Sequence, residues 1–169
     1  MIRIIDINET KSWLRFKGLA IDSKGAPTFQ ACKEIATYSI PHDSGRKTAL
    51  AREIASWFEK DIEALLWINE FGIWPSSEDL NLFIGFRKSL GEKSSLNEKP
   101  GHLFSQDDLE IVASLLSMVF YFCWGAFLIP ASKEFIFKIS HDEMINIFAV
   151  NKTSIKKQLS NIERIIKAI

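Results

Sequence analysis

The longest run of apolar positions in the chain extends from Ile111 to Ala131 and contains no charged residue. A membrane-spanning helix needs about 20 apolar residues, so the length alone would allow a span. The pattern inside the run changes, however, because Gly125 and Pro130 interrupt the helical spacing of its first part, and both residues are unfavourable inside a helix. We therefore predict a buried helix that begins after Ser105 and ends near Cys123, then a buried strand, and no membrane span.

Alternation of apolar and polar residues predicts further strands. These strands are expected at residues 2–7, 12–17, 35–41, 64–71 and 134–139. The first two are separated by a short polar link, which is typical of an edge hairpin. Residues 18–33 contain Gly18, Gly25 and Pro27 and are expected to be irregular.

Capping residues followed by helical spacing predict the helices. One helix should begin at Asp43 or Ser44 and continue to about Glu59, and another should begin between Ser76 and Asp79 and end at Gly91. The inward residues of these helices are expected to be Ala51, Ile54, Ala55 and Phe58 in the first, and Leu80, Phe83, Ile84 and the stem of Arg87 in the second.

Two further helices are predicted near the C-terminal end. The sequence Ser140-x-x-Glu143 has the spacing of a capping box and precedes apolar residues 144–148, which predicts a helix there. Residues 151–169 form an amphipathic pattern with an apolar seam at Ile155, Leu159, Ile162, Ile166 and Ile169. This seam is compatible with a helix docked on its own core and also with a homodimer through Ile155, Leu159, Ile162 and Ile166.

These elements predict the fold class α+β, with residues 1–169 as a single domain. We expect a mostly antiparallel sheet of five or six strands, helices packed over it, a docked C-terminal helix and a surface loop at residues 91–102.

The amino-acid composition argues against some classes of function. Apolar residues make up 47% of the chain and charged residues 25%, as in ordinary globular proteins. The 21 Lys and Arg residues balance 21 Asp and Glu residues, so no net positive charge favours nucleic-acid binding. Cys32 and Cys123 lack CxxC spacing and are expected to be reduced, and Asp6 and Glu9 interrupt the apolar stretch that an export signal needs. We therefore expect a cytoplasmic protein that binds neither membranes nor nucleic acids.

No motif for a catalytic nucleophile, a cofactor or a metal ion is present in the sequence, so we assign no catalytic residue, cofactor or metal ligand. His42, His102 and His141 each lie beside turn residues. If they met in space with Asp43 or Asp142, they would supply a metal site or an acid-base pair, and this small enzyme is the alternative to a binding protein.

Trp74 is the residue best placed to contact a partner. It lies between Gly72 and Pro75 at a corner between a strand and a helix, whereas the other four tryptophans are expected in the core. Acidic residues cluster at two helix starts, and these could frame a patch for a basic partner. The candidate partner-binding residues are Trp74, Glu78, Asp79, Asp107, Asp108 and Glu110.

The strings G-I-W-P-S, P-G-H-L-F, W-G-A and S-H-D-E occur in this order between Trp67 and Glu143. A chain with these strings in this order resembles an uncharacterised family of small bacterial proteins. The resemblance covers about half the chain and implies no catalytic residues. By type, the chain is similar to toxin-immunity proteins. We therefore predict a protein-binding module of the immunity or antitoxin kind, which neutralises a bacterial toxin domain by covering its active site. The alternatives are the small enzyme and a self-associating regulatory protein.

Overall fold

The computed structural model describes residues 1–23, 26–74 and 79–167 of the chain. The strands are β1 (Arg3–Ile5), β2 (Ala20–Ile21), β3 (Pro27–Thr28), β4 (Lys33–Ser39), β5 (Ala64–Glu70), β6 (Gly101–Phe104), β7 (Gly125–Pro130), β8 (Phe135–Ser140) and β9 (Met144–Ala149). The α-helices are α1 (Ile7–Phe16), α2 (Ser44–Ser56), α3 (Leu80–Ser89), α4 (Leu109–Tyr121) and α5 (Lys156–Lys167). Short 3₁₀ turns precede α4 and α5.

Seven of the strands form one antiparallel sheet in the order β1, β6, β5, β7, β8, β9, β4, and β2 pairs with β3 separately. Apolar side chains from one face of the sheet pack with those of α2, α3, α4 and α5. A smaller apolar cluster on the other face includes Trp13 and Leu14 of α1. The predicted α+β class is confirmed, and the sheet has one or two strands more than expected.

The apolar run at 111–131 divides as predicted. Helix α4 ends at Tyr121, Cys123 adopts a left-handed conformation with φ of 52°, and β7 begins at Gly125. Six consecutive residues of β7 are buried, because this strand occupies the centre of the sheet and both of its faces are covered. Among the described residues, no helix combines the length and the apolar character that a membrane span requires.

The predicted helix after Asp43 and the predicted strand at residues 64–71 are also confirmed, as α2 and β5. The side chain of Asp43 accepts a hydrogen bond from the backbone N–H of Arg46 (2.8 Å) and so caps α2. Ala51, Ile54 and Phe58 are fully buried.

The predicted N-terminal hairpin is wrong. Its second strand is α1, because Asp6 and Glu9 form a capping box and because Thr10, Trp13 and Leu14 are buried at helical spacing. The first strand, β1, pairs with β6 instead. Part of the predicted irregular segment 18–33 forms the small sheet of β2 and β3.

Two predictions near the middle and the end of the chain are also wrong. The predicted loop at 91–102 ends early, because Gly101 and His102 are buried in β6. The helix predicted after Ser140 is strand β9, since Ser140–Glu143 forms a tight turn in which the Glu143 N–H donates to the Ser140 carbonyl (3.2 Å). Residues 144–149 then alternate between partly exposed and buried positions, which is the period of a strand.

Helix α5 docks on its own chain. Ile155, Leu159 and Ile162 are buried against the core, and Ile166 packs beside them. Ile169, the last residue of the predicted seam, lies outside the described residues. The apolar seam therefore packs on the same core as α2. The side chains of Ile155, Leu159 and Ile162 are not available to contact a second copy of the chain.

Candidate functional site

Helix α3 and the residues just before it carry five of the ten large apolar side chains that are exposed in the described part of the chain. Asp79 caps this helix, because its side chain accepts from the Leu82 N–H at 3.0 Å. Five large apolar side chains in and before the helix are 39–56% exposed. We call this set the α3 surface, and it consists of Ile73, Trp74, Leu80, Leu82 and Ile84.

The geometry of α3 explains why these side chains face outward. Phe83 and Arg87, four residues apart, form the buried stripe, and the ring of Phe83 packs edge-on against Trp124 with 4.9 Å between centroids. At 100° per residue, Leu80 and Ile84 lie about 60° and 100° from Phe83 on one flank, and Leu82 lies about 100° from Phe83 on the other flank. The prediction that Leu80 and Ile84 face inward is therefore wrong, because the core contacts too narrow a stripe of the helix to cover them.

Trp74 differs from the other four tryptophans, as the sequence predicts. Its side chain is 50% exposed, whereas Trp13, Trp57, Trp67 and Trp124 are at most 8% exposed. Trp74 thus combines a large apolar area with access to solvent, a combination typical of residues that anchor partners.

The acidic candidates do not form one patch. Asp79 and Phe83 share the first turns of α3, and Phe83 contacts Trp124, just beyond the C-terminal end of α4. Asp107 and Glu110 are exposed at the opposite end of α4, which has 13 residues and is therefore about 20 Å long.

Asp108 differs from the other described acidic candidates, because it is only 3% exposed and one of its oxygens lies 3.2 Å from the Met1 ammonium group. Its side chain is buried and accepts hydrogen bonds from the Ser105 backbone N–H (3.1 Å) and hydroxyl (3.2 Å), so it caps the start of the α4 segment. Glu78 lies outside the described residues.

The three histidines occupy different environments. His102 is fully buried in β6, where its ring lies near the backbone of Leu66 and Pro100 but forms no hydrogen bond of good geometry with any described residue. Across the sheet, His102 pairs with Leu66 of β5, Leu66 pairs with Leu128 of β7, and Leu128 pairs with Phe137 of β8. Neighbouring strands lie about 4.8 Å apart, so Phe137 is about 14 Å from His102. His141 lies four residues further along, so His102 cannot join His141 in one active site.

Burial, together with the positive charge of Arg87, lowers the pKa of His102 to about 3. Arg87 is itself 2% exposed, and its Nη2 donates to the Lys99 carbonyl (2.8 Å), while Nε and Nη1 have no hydrogen-bond partner among the described residues. The pKa of Arg87 is lowered by burial. His102 is therefore neutral at pH 7, and this polar pair lies beneath α3 rather than in a solvent-accessible pocket.

His42 and His141 lie near the turn between β8 and β9. His42 is exposed, 3.8 Å from a carboxylate oxygen of Glu143. Nδ1 of His141 lies 2.9 Å from Glu70 Oε2, and this hydrogen bond raises the pKa of His141. His42 and His141 thus each lie beside a different carboxylate. Among the described residues, no group of three or more His, Cys, Asp or Glu side chains is arranged to hold a metal ion.

A polar cluster around Lys47, at the same end of the molecule, was not predicted from the sequence. Lys47 is 7% exposed, and its ammonium contacts the Phe120 carbonyl (3.1 Å) and Glu143 (3.3 Å). Burial, followed by the charge of Glu143, raises the pKa of the nearby Cys123 thiol. A protonated thiol is a poor nucleophile, so these surroundings do not activate Cys123.

A polar cleft of about 540 Å³ lies between α2, the start of α5 and the turn before β8. Four carboxylates, those of Glu53, Glu59, Asp61 and Glu134, line it together with two lysines. Burial raises the pKa of Asp61. Glu53 is already engaged, since it accepts from the indole N–H of Trp57 (3.2 Å) and from Asn161 (3.2 Å).

Comparison of the chain with protein-family models, curated proteins and solved structures found no match.

Proposed function

We propose that this chain is a protein-binding module and that the α3 surface is its binding surface. The observation that carries the proposal is the concentration of exposed apolar side chains in one segment. The described residues expose ten large apolar side chains, and five of them belong to the α3 surface. Burying such side chains against a partner removes apolar area from water, and an aromatic anchor such as Trp74 contributes strongly to interfaces.

Within this class, we propose an immunity or antitoxin protein that neutralises a bacterial toxin domain by covering its active site. The support is the combination of an apolar strip, an aromatic side chain and the exposed carboxylate of Asp79 at the start of the same helix. An apolar centre with a polar rim is the usual organisation of a specific interface. A cytoplasmic location is part of this proposal and agrees with the unpaired state of Cys32 and Cys123.

The alternatives receive less support. A homodimer through the α5 seam would need side chains that already pack on the chain's own core. The enzyme hypothesis needs His102 beside His141, and the register of the sheet separates them.

The test uses a partner captured from the native host or encoded by the neighbouring gene, and a variant that combines Trp74→Ala, Leu80→Ser and Ile84→Ser. We expect the dissociation constant to rise by at least about tenfold, because interface anchors each contribute 1 kcal/mol or more. Isothermal titration calorimetry measures this constant, and circular dichroism checks that the variant is folded.

The matched control makes the same kind of change at exposed apolar residues elsewhere. Ile62 is 91% exposed and Val150 is 61% exposed, and both lie outside the α3 surface. The double variant Ile62→Ser with Val150→Ser should bind as the original protein does. Equal binding by the original protein and the α3 variant would contradict the proposal, as would an equal loss in the control.

A further inference from the structure

A second candidate surface lies at the edge of the large sheet that β4 forms. This strand is the last in the sheet and pairs with β9 on one side. In an antiparallel pair, the backbone groups of successive residues point alternately toward the partner strand and away from it. The Ile40 N–H donates to the Glu143 carbonyl (2.7 Å), so at the same register Tyr38 also points its backbone groups toward β9. The N–H and C=O groups of Thr37 and Ser39 therefore point toward the open edge, and both residues are exposed.

Helix α5 runs beside this edge on one face of the sheet. Lys33, at the start of β4, pairs with Ala149, and α5 begins a few residues after Ala149. Further along the helix, Glu163 accepts a hydrogen bond from the hydroxyl group of Tyr38, near the end of β4 (3.1 Å). The helix and the strand therefore run in the same direction. The side chain of Lys33 points to the same face as Ala149, which belongs to the apolar cluster that α5 covers, and Glu34 points to the opposite face.

The flank of α5 that faces β4 is basic. At 100° per residue, Lys156 and Lys167 lie about 20° and 40° from Glu163 around the helix axis, so the three side chains share this flank. Lys33 and Lys156 are exposed and form no ion pair with any described residue. Glu163 is already engaged, because it accepts from Tyr38 and its second carboxylate oxygen lies 3.9 Å from the Lys167 ammonium group. The flank therefore carries more positive than negative charge.

Free backbone groups beside a basic flank fit one kind of ligand. A strand that adds to an open sheet edge gains main-chain hydrogen bonds, and its side chains supply specificity. In a strand antiparallel to β4, the residues opposite Thr37 and Ser39 bond to them and point, like them, away from α5. The residues between these point toward α5, where carboxylates would meet Lys33, Lys156 and Lys167.

We propose that the β4 edge binds an extended, acidic segment of a partner protein, which adds to the sheet as a further strand antiparallel to β4. The bound segment carries a carboxylate at every second residue, on the side that faces α5. Its other residues exchange backbone hydrogen bonds with Thr37 and Ser39. The β4 edge and the α3 surface belong to different elements, so failure of this proposal would leave the proposed function of the α3 surface unchanged.

The probe is the synthetic peptide acetyl-Thr-Glu-Thr-Glu-Thr-Glu-Thr-amide, titrated into the labelled full chain. Two-dimensional NMR follows the backbone amide signals of Thr37 and Ser39. We expect saturable binding, and at least about tenfold weaker binding when lysine replaces each glutamate, because repulsion then replaces attraction at the basic flank. N-methylation of the peptide threonines should weaken binding as strongly, because it removes the N–H groups that bond to β4. N-methylation of the peptide glutamates should have little effect, because their N–H groups point away from β4.

Variants of the protein locate the site. Ser39→Pro removes an outward N–H and no hydrogen bond to β9, so we expect a folded chain that binds the peptide more weakly. Ser39→Ala keeps this N–H and should bind as the original protein does. Lys33→Gln combined with Lys156→Gln should weaken binding at least about threefold. The matched control combines Lys88→Gln and Lys93→Gln, at exposed lysines in α3 and in the loop before β6, and should leave binding unchanged.

The proposal is overturned if the glutamate peptide does not saturate the signals, or if the lysine peptide or an oligothymidylate of equal charge binds as tightly. Equal effects of N-methylation at the glutamates and at the threonines would also contradict it, as would equal binding by the two pairs of lysine variants. If Ser39→Pro does not fold, the lysine variants and the N-methylated peptides decide the question on folded protein.

Discussion

Lowering the pH from 6.5 to 4.5 is expected to reduce the free energy of unfolding by about 2 kcal/mol, and His102 is the cause. Burial holds the pKa of His102 at about 3 in the folded protein, against an ordinary value of 6.5. Below pH 6.5 the unfolded chain binds a proton at His102 that the folded protein does not bind. Stability is therefore complete above pH 6.5 and falls by about 1.4 kcal/mol per pH unit as the pH approaches 3.

This pH window separates His102 from other groups with shifted pKa values. The pKa of His141 is raised, so its contribution is fully present below pH 6.5 and is lost only as the pH rises. Glu92 has a pKa lowered to about 2 by the hydrogen bond from the Ser94 backbone, and its contribution is lost only below about pH 4.5. The raised pKa of Asp61 makes the folded protein more stable as the pH falls, so a loss of stability between pH 6.5 and 4.5 reports mainly His102.

The measurement is urea unfolding at several pH values, with His102→Leu as the comparison. Leucine fills a similar volume and does not titrate, so the variant should lose the pH dependence in this window. A flat profile in the original protein, or an equally steep profile in the variant, would contradict the described burial of His102.

Replacing Trp124 by alanine is expected to destabilise the protein by about 4 kcal/mol, the largest effect of any substitution considered. Its ring is fully buried and packs against Phe71, Phe83 and Phe122. These rings belong to the segments around β5, α3 and α4, so one side chain joins three elements. Its removal leaves a cavity that the sheet and helices cannot close completely.

Trp74→Ala is the matched control, because it removes the same side chain from a half-exposed position. We expect this variant to lose no more than about 2 kcal/mol, since only about half of the surface of Trp74 is buried in the folded protein. Chemical denaturation measures both values, and native-state hydrogen exchange should find α3 among the first elements to lose protection in Trp124→Ala. Equal losses in the two variants would contradict the different burial of Trp74 and Trp124.

The sequence correctly predicted those elements whose ends carry a capping residue, a glycine or a proline. Gly125 and Pro130 separated α4 from β7, and Asp43 marked the start of α2. The spacing of a capping box did not distinguish a helix from a turn. Asp6-x-x-Glu9 starts a helix, whereas Ser140-x-x-Glu143 lies in a hairpin turn. Pairing with β8 and β4 decides the second case, and such long-range contacts override local preference.

The candidate surface was predictable only in part. Glycine and proline beside Trp74 indicated a corner, and the ring is indeed half-exposed. The outward orientation of Leu80 and Ile84 depends on how narrow the contact between α3 and Trp124 is, and the sequence does not contain that information. The register shift between β5 and β7 at Ile68 and Glu70 is likewise set only when the sheet assembles.

The central claim is that the α3 surface binds a protein partner. Hydrogen-deuterium exchange of the free protein and of its complex tests it most directly, because exchange slows where a partner excludes water and restricts opening. We predict that protection on binding is concentrated in residues 73–74 and 79–84, with little change in the cleft lined by Glu53, Asp61 and Glu134. Protection centred on that cleft, or on α5, with residues 79–84 unchanged, would contradict the claim.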